Sequence, residues 1–284
     1  MYWLVGNHLE SKSQAAVLKF KLTPMNPIIW LRNTLRNRFQ IGLLGGALQQ
    51  IRSAAPLRTV RIVSATRLTE RVFWRNSALG RSLKPWLSNA DISFSIRFEN
   101  TTGLSQIYNE HLRDAHCPDV LLFVHDDIWL DDSAWLEKVL LALKRFDIVG
   151  VAGNTRILPH QPAWLFSKIE DGKFVWDSGH LSGTVGHGQL QKSQHSVYGP
   201  TPASCKLLDG AFVAIRSAEI RRSRVFFDEQ FNFHFYDMDF CRSAFRAGLS
   251  LGTWPVELTH QSPGAFGNPS WQESCARYFE KWKT

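Results

Sequence analysis

The sequence contains few cysteines and no long hydrophobic run. Its four cysteines, at positions 117, 205, 241 and 275, are far apart and form no Cys-x-x-Cys pair. This spacing argues against a zinc ribbon and supplies no disulfide framework, so a reducing compartment is expected. No apolar stretch reaches the roughly 18 residues that cross a bilayer, and the N-terminus lacks the charged start and apolar run of a signal peptide. Together these absences predict a cytoplasmic protein.

A dinucleotide-binding fingerprint is also missing. The glycines of residues 183–188 have the wrong spacing for that fingerprint, and no predicted strand precedes them. A nicotinamide cofactor is therefore not expected. The wider segment, residues 171–204, is rich in Gly, Ser and His. We expect it to form a long excursion, either a hairpin or a mobile flap, because long loops within a compact domain are usually functional.

The composition is that of a globular protein. A chain of 284 residues with 44% hydrophobic content can bury a full core, and one large domain is a better interpretation than two small ones. The net charge of +8 is unevenly spread, since residues 1–100 contain 15 basic and 4 acidic side chains, whereas the rest contain 18 and 21. The basic excess therefore lies in the first third of the chain.

Part of this excess lies in a predicted basic amphipathic helix that begins near residue 26. Such a helix can lie on an anionic membrane, which would make the protein peripheral on the inner face of that membrane. It can also pack on its own domain, which is the commoner arrangement. We expect residues 1–57 to form an extension before a single domain at residues 58–284. The apolar face of the helix comprises Ile28, Leu31, Leu35 and Phe39, and the basic residues off that face are Arg32, Arg36 and Arg38.

Strand and helix patterns alternate through the domain. This order predicts an α/β fold with a mostly parallel central sheet and helices on both faces. Strands are predicted at residues 59–66, 92–98, 120–124, 147–153 and 251–260, and residues 207–216 are predicted to form a short turn and a buried strand. Helices are predicted at residues 69–84 and 104–115, after an N-cap at Asp132, and from about Asp239 to Gly248.

The strand at residues 120–124 ends at three groups that can bind a cation or a phosphate. It has no polar residue on either face, as expected of a central strand, and His125, Asp126 and Asp127 follow it directly. Open α/β sheets bind ligands at the carboxyl ends of their strands. Aspartates are also common as turn residues and helix caps. In this position, however, two carboxylates and an imidazole can hold a divalent cation, which in turn can hold a diphosphate.

Two later residues can complete such a site. Asp237 lies where a helix is predicted to begin, so it is either an N-cap or a carboxylate held near the ligand-binding edge of the sheet. His260 ends the predicted strand at residues 251–260. A single histidine is more often structural than a ligand. One at a strand end, with an Asp pair at another strand end, is a better metal ligand than most.

The order of these motifs resembles that of the inverting glycosyltransferases of family 2, which have the nucleotide-sugar-binding GT-A fold. Within that family, the sequence resembles the bacterial glycosyltransferase-like branch in which His-Asp-Asp replaces Asp-x-Asp. The resemblance extends over residues 59–262. The matching stretches run from Glu99 to Asn109, from Phe123 to Asp127, from Leu208 to Ala211, from Phe227 to Glu229, from Tyr236 to Arg242 and from Val256 to His260.

This resemblance implies roles for the matching residues. Asp127 would bind the metal, His260 would complete the metal site, and His125 stands where the family has its first aspartate. Asp237 would be the catalytic base. The nucleotide-sugar half of the domain would be residues 58–155, and the acceptor half would be residues 156–284. The other implied contacts are Arg67, Glu99, Asn100 and Asp126 for the nucleotide, and Asp209, Gly210 and Arg242 for the acceptor.

The implied reaction moves a sugar from a nucleotide-diphosphate sugar to a hydroxyl of a glycan or lipid-linked acceptor. Among the donors, a UDP-sugar is expected first. Such reactions build cell-surface polysaccharides. Direct displacement assisted by one base predicts inversion at the anomeric carbon. A divalent cation, Mn²⁺ or Mg²⁺, would neutralise the leaving diphosphate. The sequence departs from the family at two positions, because His125 replaces an aspartate and Tyr236 replaces the glutamate before Asp237.

Two other functions are compatible with parts of the sequence. A metal-dependent hydrolase could use His125, Asp126, Asp127 and His260, but the sequence offers no His-x-His pair or second acidic cluster for a two-metal site. A catalytically inactive protein that binds a nucleotide, a glycan or a nucleic acid is the other alternative. The basic first third could contact phosphates, but no recognised nucleic-acid module accompanies it. We therefore expect no nucleic-acid partner.

Overall fold

The computed structural model describes residues 57–188, 194–262 and 264–283. The predicted basic amphipathic helix, and with it the predicted membrane contact, lies outside these residues. In the part of the chain that is described, no helix is long and apolar enough to span a membrane.

The described residues form fifteen strands and seven helices. The strands are β1 (Val60–Ala65), β2 (Ile92–Arg97), β3 (Val120–Val124), β4 (Ile128–Leu130), β5 (Ile148–Gly150), β6 (Ala152–Asn154), β7 (Phe166–Glu170), β8 (Lys173–Trp176), β9 (Leu181–His187), β10 (Gln194–Gly199), β11 (Ala203–Cys205), β12 (Leu207–Leu208), β13 (Phe212–Arg216), β14 (Leu251–Thr253) and β15 (Leu258–His260). The helices are α1 (Glu70–Asn76), α2 (Ala78–Leu83), α3 (Leu104–Arg113), α4 (Trp135–Ala142), α5 (Ser217–Ser223), α6 (Tyr236–Arg246) and α7 (Pro269–Trp282).

The larger sheet has seven strands in the order β11-β14-β5-β13-β3-β1-β2. β1 pairs in parallel with β2 and β3, and β5 pairs in parallel with β14. β13 runs antiparallel to both β3 and β5, and β11 runs antiparallel to β14. Five strands therefore share one direction and two oppose it. The predicted α/β fold with a mostly parallel central sheet is confirmed.

The apolar run of β3 reflects its position in this sheet. All five residues of β3 are fully buried between β1 and β13. The ring of Phe123 stacks on that of Tyr108 from α3, with centroids 4.3 Å apart. A strand covered on both faces has no place for a polar residue, so the first polar groups occur where β3 ends.

A second sheet has the order β12-β6-β9-β15-β4, with β10 paired to β9. It accounts for two wrong predictions, because the single strands expected at residues 147–153 and 251–260 each divide between the two sheets. β5 and β14 lie in the larger sheet, whereas β6 and β15 both pair with β9. Pro255, which has no backbone N–H, lies where the chain leaves β14. Gly153 allows β12 to approach, since a Cβ there would lie 2.3 Å from the carbonyl oxygen of Leu207.

Two helix predictions also need correction. The helix expected at residues 69–84 is broken at Ser77, where a ψ of 154° ends α1. The Ser77 hydroxyl then accepts the N–H of Gly80 and caps α2. Asp132 is not the N-cap residue of α4, which is Ala134. The Asp132 carboxylate instead accepts the Ala134 N–H at 2.9 Å, so it contacts the helix from two residues further away.

The segment at residues 171–204 is rich in strands. β9 and β10 form an antiparallel hairpin, and β11 joins the edge of the larger sheet beside β14. The hairpin alternative is therefore the one observed. The sequence patterns did not predict α7, which begins after Asn268, whose side chain accepts the Trp271 N–H at 2.8 Å. Its Tyr278 and Trp282 are buried against the domain.

Candidate active site

A cavity of about 460 Å³ opens where β1 and β3 end. Because β1, β2 and β3 run parallel, their carboxyl ends lie at one edge of the larger sheet, which is where α/β proteins bind ligands. The cavity brings together residues from separate stretches of the sequence. Its polar lining includes His125, Asp126, Asp127, Asp209, Asp237 and His260.

β15 brings His260 next to Asp127. It pairs antiparallel with β4, and His260 lies opposite Ile128, the residue after Asp127. Nε2 of His260 is consequently 3.2 Å from Oδ2 of Asp127. The N–H of Gln261 also donates to the Asp127 carbonyl at 3.0 Å, which fixes the two segments to each other. The structure thus brings together the two strand ends that the sequence singled out.

His125, Asp127 and His260 fit a divalent cation. Each residue offers one ligand atom, and these atoms lie within 4.8 Å of one another. Oδ1 of Asp127 is buried and has no hydrogen-bond partner among the described residues. A buried polar atom without a partner is costly, and a cation would satisfy it. The two imidazoles favour Mn²⁺ over Mg²⁺.

The charges within this group set the protonation state of each possible ligand. Burial raises the pKa of the Asp127 carboxyl, but the hydrogen bond and charge of His260 outweigh burial and lower the pKa to about 2. Burial lowers the pKa of His260, and its bond to Asp127 outweighs this, so its pKa is raised. Burial lowers the pKa of His125. At neutral pH the site therefore presents an ionised carboxylate and a neutral His125, whereas His260 holds its proton more tightly and must release it when a cation binds.

Asp237 lies in the first turn of α6 but is not its N-cap residue. The helix begins at Tyr236, and the N-cap position is held by Phe235 in a left-handed conformation with φ 64°. The Asp237 carboxylate accepts the N–H of Gly210 at 3.0 Å and that of Met238 at 2.8 Å. Burial, followed by the negative charge of Asp209, raises the pKa of Asp237 to about 7. A carboxylate with this pKa can gain or lose a proton near neutral pH.

Tyr236 connects the Asp237 side of the cavity with the cation side. Its hydroxyl donates to the carbonyl of Gly210 at 2.9 Å and lies 2.7 Å from Nε2 of His125. Gly210 is therefore held on both sides, by Tyr236 at its carbonyl and by Asp237 at its N–H. A side chain has no room at this position, since a Cβ would lie 2.4 Å from the Tyr236 hydroxyl.

The residues predicted to contact a nucleotide lie at the ends of β1 and β2. The Thr66 hydroxyl donates to the Asp126 carboxylate at 2.5 Å, and the Asn100 N–H donates to the Thr66 carbonyl at 2.8 Å. Arg67 and Glu99 are exposed beside these two residues. Asp126 lines the cavity, whereas Arg67, Glu99 and Asn100 lie outside its lining. Their contacts with a nucleotide stay a prediction.

The residues predicted for the acceptor side separate into two groups. Asp209 and Gly210 line the cavity, and the Asp209 carboxylate accepts the Ala211 N–H at 2.8 Å. Arg242 is buried away from this lining, with its guanidinium carbon 4.5 Å from the ring centroid of Trp282. Any effect of Arg242 on an acceptor would therefore pass through the packing of α6 on α7.

A model of the glycosyltransferase-like family matches residues 90–263. This stretch includes the polar residues of the cavity, which are His125, Asp126, Asp127, Asp209, Asp237 and His260. The chain belongs to this family. The resemblance in the order of motifs is thereby confirmed at the level of the family. A comparison with curated proteins finds no sequence match to this glycosyltransferase-like chain.

Three solved structures align with most of this chain at low sequence identity. They are GalNAc-T7 with UDP, GalNAc and Mn²⁺ (13% identity, TM-score 0.45), TarS of S. aureus (12%, 0.41) and the mannosyltransferase PcManGT of Pyrobaculum calidifontis with GDP-Man and Mn²⁺ (13%, 0.39). The matches cover 80%, 78% and 84% of this glycosyltransferase-like chain, and 48%, 64% and 66% of the other chains. It therefore spans about half to two thirds of the length of these solved proteins.

Sequence reasoning missed part of the cavity wall of this glycosyltransferase-like chain. His187 and Tyr198 come from the β9–β10 hairpin, and Nε2 of His187 lies 3.1 Å from the Tyr198 hydroxyl. Phe233 and His234 come from the segment just before α6. The Gly, Ser and His content of residues 171–204 signalled a functional segment, but no periodicity shows which of its side chains face the cavity.

Proposed function

We propose that the chain is an inverting glycosyltransferase that moves a sugar from a nucleotide-diphosphate sugar to a hydroxyl of a glycan or lipid-linked acceptor, in the synthesis of cell-surface polysaccharide. Membership of the glycosyltransferase-like family supports sugar transfer. The observation that carries the proposal is one cavity in which Asp237, a carboxylate with a pKa of about 7, lies next to a group that fits a divalent cation.

The donor would bind at the ends of β1, β2 and β3. Asp127, His260 and His125 would hold a divalent cation, Mn²⁺ in preference to Mg²⁺, and this cation would neutralise the leaving diphosphate. Asp126 would contact the ribose or the diphosphate, with Thr66 fixing its carboxylate through the 2.5 Å hydrogen bond. Arg67, Glu99 and Asn100 would contact the nucleotide, for which a UDP-sugar is our first choice.

Asp237 would act as the catalytic base. The acceptor hydroxyl gives its proton to the Asp237 carboxylate as its oxygen bonds to the anomeric carbon. The bond from that carbon to the diphosphate breaks on the opposite face, so the configuration is inverted. A positioned base contributes about 10²- to 10⁴-fold to such a step. Asp237 is suited to it because two backbone N–H groups hold its carboxylate in place.

The acceptor would lie against Asp209 and Gly210. Asp209 raises the pKa of Asp237 through its negative charge, and Gly210 donates its N–H to the same carboxylate. An acceptor hydroxyl beside Gly210 would therefore be within reach of the base. We further propose that the enzyme acts in the cytoplasm at the inner membrane face, where a lipid-linked acceptor would be available.

A thermal-shift screen of nucleoside diphosphates, with and without Mn²⁺, tests the donor site. A ligand at 100 times its Kd stabilises a protein by about 2.7 kcal/mol, which we expect for at least one nucleotide in the presence of Mn²⁺. If no nucleotide shifts the melting temperature, the proposed donor site is wrong. Asp237→Asn separates binding from chemistry, because it should keep the shift and lose transfer. Release of nucleoside diphosphate without acceptor, at the rate seen with acceptor, would instead support a hydrolase.

A further inference from the structure

The hydrogen bonds of Tyr236 determine which nitrogen of His125 carries the proton. The Tyr236 hydroxyl makes hydrogen bonds with the carbonyl oxygen of Gly210 at 2.9 Å and with Nε2 of His125 at 2.7 Å. A carbonyl oxygen can only accept a hydrogen bond, so the single phenolic proton is committed to Gly210. The contact with His125 must then be made by a lone pair of the hydroxyl, and Nε2 of His125 must be the donor.

This assignment leaves Nδ1 as the only nitrogen of a neutral His125 with a free lone pair. A metal-binding histidine usually donates its other ring N–H to a nearby acceptor, which fixes both the tautomer and the orientation of the ring. We propose that Tyr236 is a positioning residue that holds His125 as the Nε2–H tautomer and directs Nδ1 toward the cation. The proposal rests on the proposed function, in which His125 belongs to the cation site.

The surroundings of Tyr236 suit a fixed acceptor. The side chain is only 4% exposed, so water does not compete for its hydroxyl. The carbonyl of Gly210 accepts the hydrogen bond from Tyr236, and the N–H of Gly210 donates to Asp237, which holds this residue in place. The ring of His125 is further restrained by Phe233, which stacks on it at an interplanar angle of 23° and a centroid distance of 6.0 Å.

The pair also explains the two departures from the family pattern. His125 and Tyr236 are 111 positions apart in the sequence, yet they contact each other directly. An imidazole at position 125 needs an acceptor for its second nitrogen if the first is to bind a cation. The Tyr236 hydroxyl, whose proton is donated to Gly210, supplies a neutral acceptor for that nitrogen. A glutamate in its place would add a negative charge beside Asp237.

Tyr236→Phe tests the proposal, because it removes the hydroxyl and keeps the buried ring. Long-range ¹H–¹⁵N spectra of the metal-free protein identify the protonated nitrogen of His125. We expect Nε2–H in the wild type and a changed Nε2–H resonance in Tyr236→Phe. Titration with Mn²⁺ alone, followed by the paramagnetic resonance signal of free Mn²⁺, should give about 10- to 100-fold weaker binding in the variant.

Tyr278→Phe is the matched control, since Tyr278 is equally buried and its hydroxyl contacts Arg242 at 3.3 Å instead of His125. It should leave the His125 spectrum and the Mn²⁺ affinity unchanged. Protonation at Nδ1 in the wild type overturns the proposal, as does an unchanged His125 spectrum in Tyr236→Phe. Tighter Mn²⁺ binding by Tyr236→Phe also overturns it, because Nε2 would then be the ligand with which Tyr236 competes. Failure of the wild type to bind Mn²⁺, with the Nε2–H tautomer present, would contradict the proposed cation site alone.

Discussion

The carboxylate of Asp237 accepts the backbone N–H of Gly210 at 3.0 Å. This bond joins the first turn of α6 to the short segment between β12 and β13. It holds the carboxylate in the lining of the cavity, against the backbone of a residue that has no side chain. The carbonyl of the same residue accepts a hydrogen bond from the Tyr236 hydroxyl, which also contacts His125, so the positions of Asp237 and His125 both depend on Gly210.

Gly210→Ala should therefore disturb the site with little effect elsewhere. The added Cβ would lie 2.4 Å from the Tyr236 hydroxyl and 2.8 Å from Cβ of Asp237, so both side chains must move. Overpacking of this kind costs about 1 to 3 kcal/mol, and displacement of a reacting group by about 1 Å can lower turnover 10²-fold. Gly179→Ala is the control, because nothing lies within 4 Å of its added Cβ. Equal activity of the two variants in a sugar-transfer assay would contradict the role given to Gly210.

Asp127→Asn should abolish the Mn²⁺-dependent part of nucleotide binding. The substitution keeps the shape of the side chain but removes the only carboxylate of the cation-binding group. Loss of an outer partner of a metal ligand already costs about 10- to 100-fold in affinity, so we expect loss of a ligand charge to cost at least about 100-fold. Mn²⁺ titration measures this. Asp91→Asn, a change at an exposed turn, should bind Mn²⁺ as the wild type does.

Transfer activity should rise with pH through about pH 7. The base must be ionised to accept a proton, and burial together with the charge of Asp209 raises the pKa of Asp237 from 3.8 to about 7. The profile of kcat/KM against pH reports this group in the free enzyme. A profile that is flat between pH 5 and 8, with chemistry limiting the rate, would rule out Asp237 as the base.

The same pKa shift predicts how stability depends on pH. Asp237 binds its proton more tightly in the folded than in the unfolded state, so its protonation stabilises the fold below about pH 4. This contribution is lost as pH rises from about 4 to about 7, by up to about 1.4 kcal/mol per pH unit. Asp237→Asn removes the titration. Urea unfolding should show the variant gaining stability relative to the wild type across this interval, while the exposed Asp171→Asn does not.

Asp209→Asn tests the electrostatic part of this account. Asn keeps the oxygen that accepts the Ala211 N–H at 2.8 Å, so the turn before β13 is preserved while the negative charge is removed. Without that charge the pKa of Asp237 falls, and the rising limb of the pH profile should move to lower pH. An unmoved limb would show that burial alone sets the pKa of Asp237.

The sequence was sufficient to predict the site residues that lie at the ends of strands. The apolar run of β3 predicted both the buried strand and the position of Asp127 at its carboxyl end. The pairing of Asp127 with His260 could be anticipated because both follow strands. The contact between His125 and Tyr236 could not, because it joins the end of β3 to the first residue of α6, 111 positions away. Phe235, just before α6, has a left-handed conformation, which no periodicity predicts in a residue other than glycine.

The division of strands between two sheets also could not be predicted from the sequence. Residues 147–153 satisfy the strand pattern whether they pair in one sheet or in two. The hydrophobic pattern indicates which residues are buried but does not identify the strand with which they pair. α7 escaped prediction for a related reason. Its inner face is only partly hydrophobic, because Lys281 lies between the buried residues Tyr278 and Trp282 and its ammonium contacts the buried Asp239 carboxylate.

Lys281 of α7 is expected to stabilise the fold strongly. Asp239 of α6 is fully buried, and its carboxylate accepts hydrogen bonds from the Lys281 ammonium and from the Trp282 indole N–H, the latter at 2.8 Å. Lys281→Ala would leave this carboxylate buried without a counter-charge, which typically costs about 3 to 5 kcal/mol. Lys283→Ala is the control, because its partner Glu280 is 75% exposed and exposed pairs contribute at most about 1 kcal/mol. Urea unfolding compares the two variants. Equal midpoints would mean that Asp239 takes up a proton in place of Lys281, since burial already raises the pKa of its carboxyl.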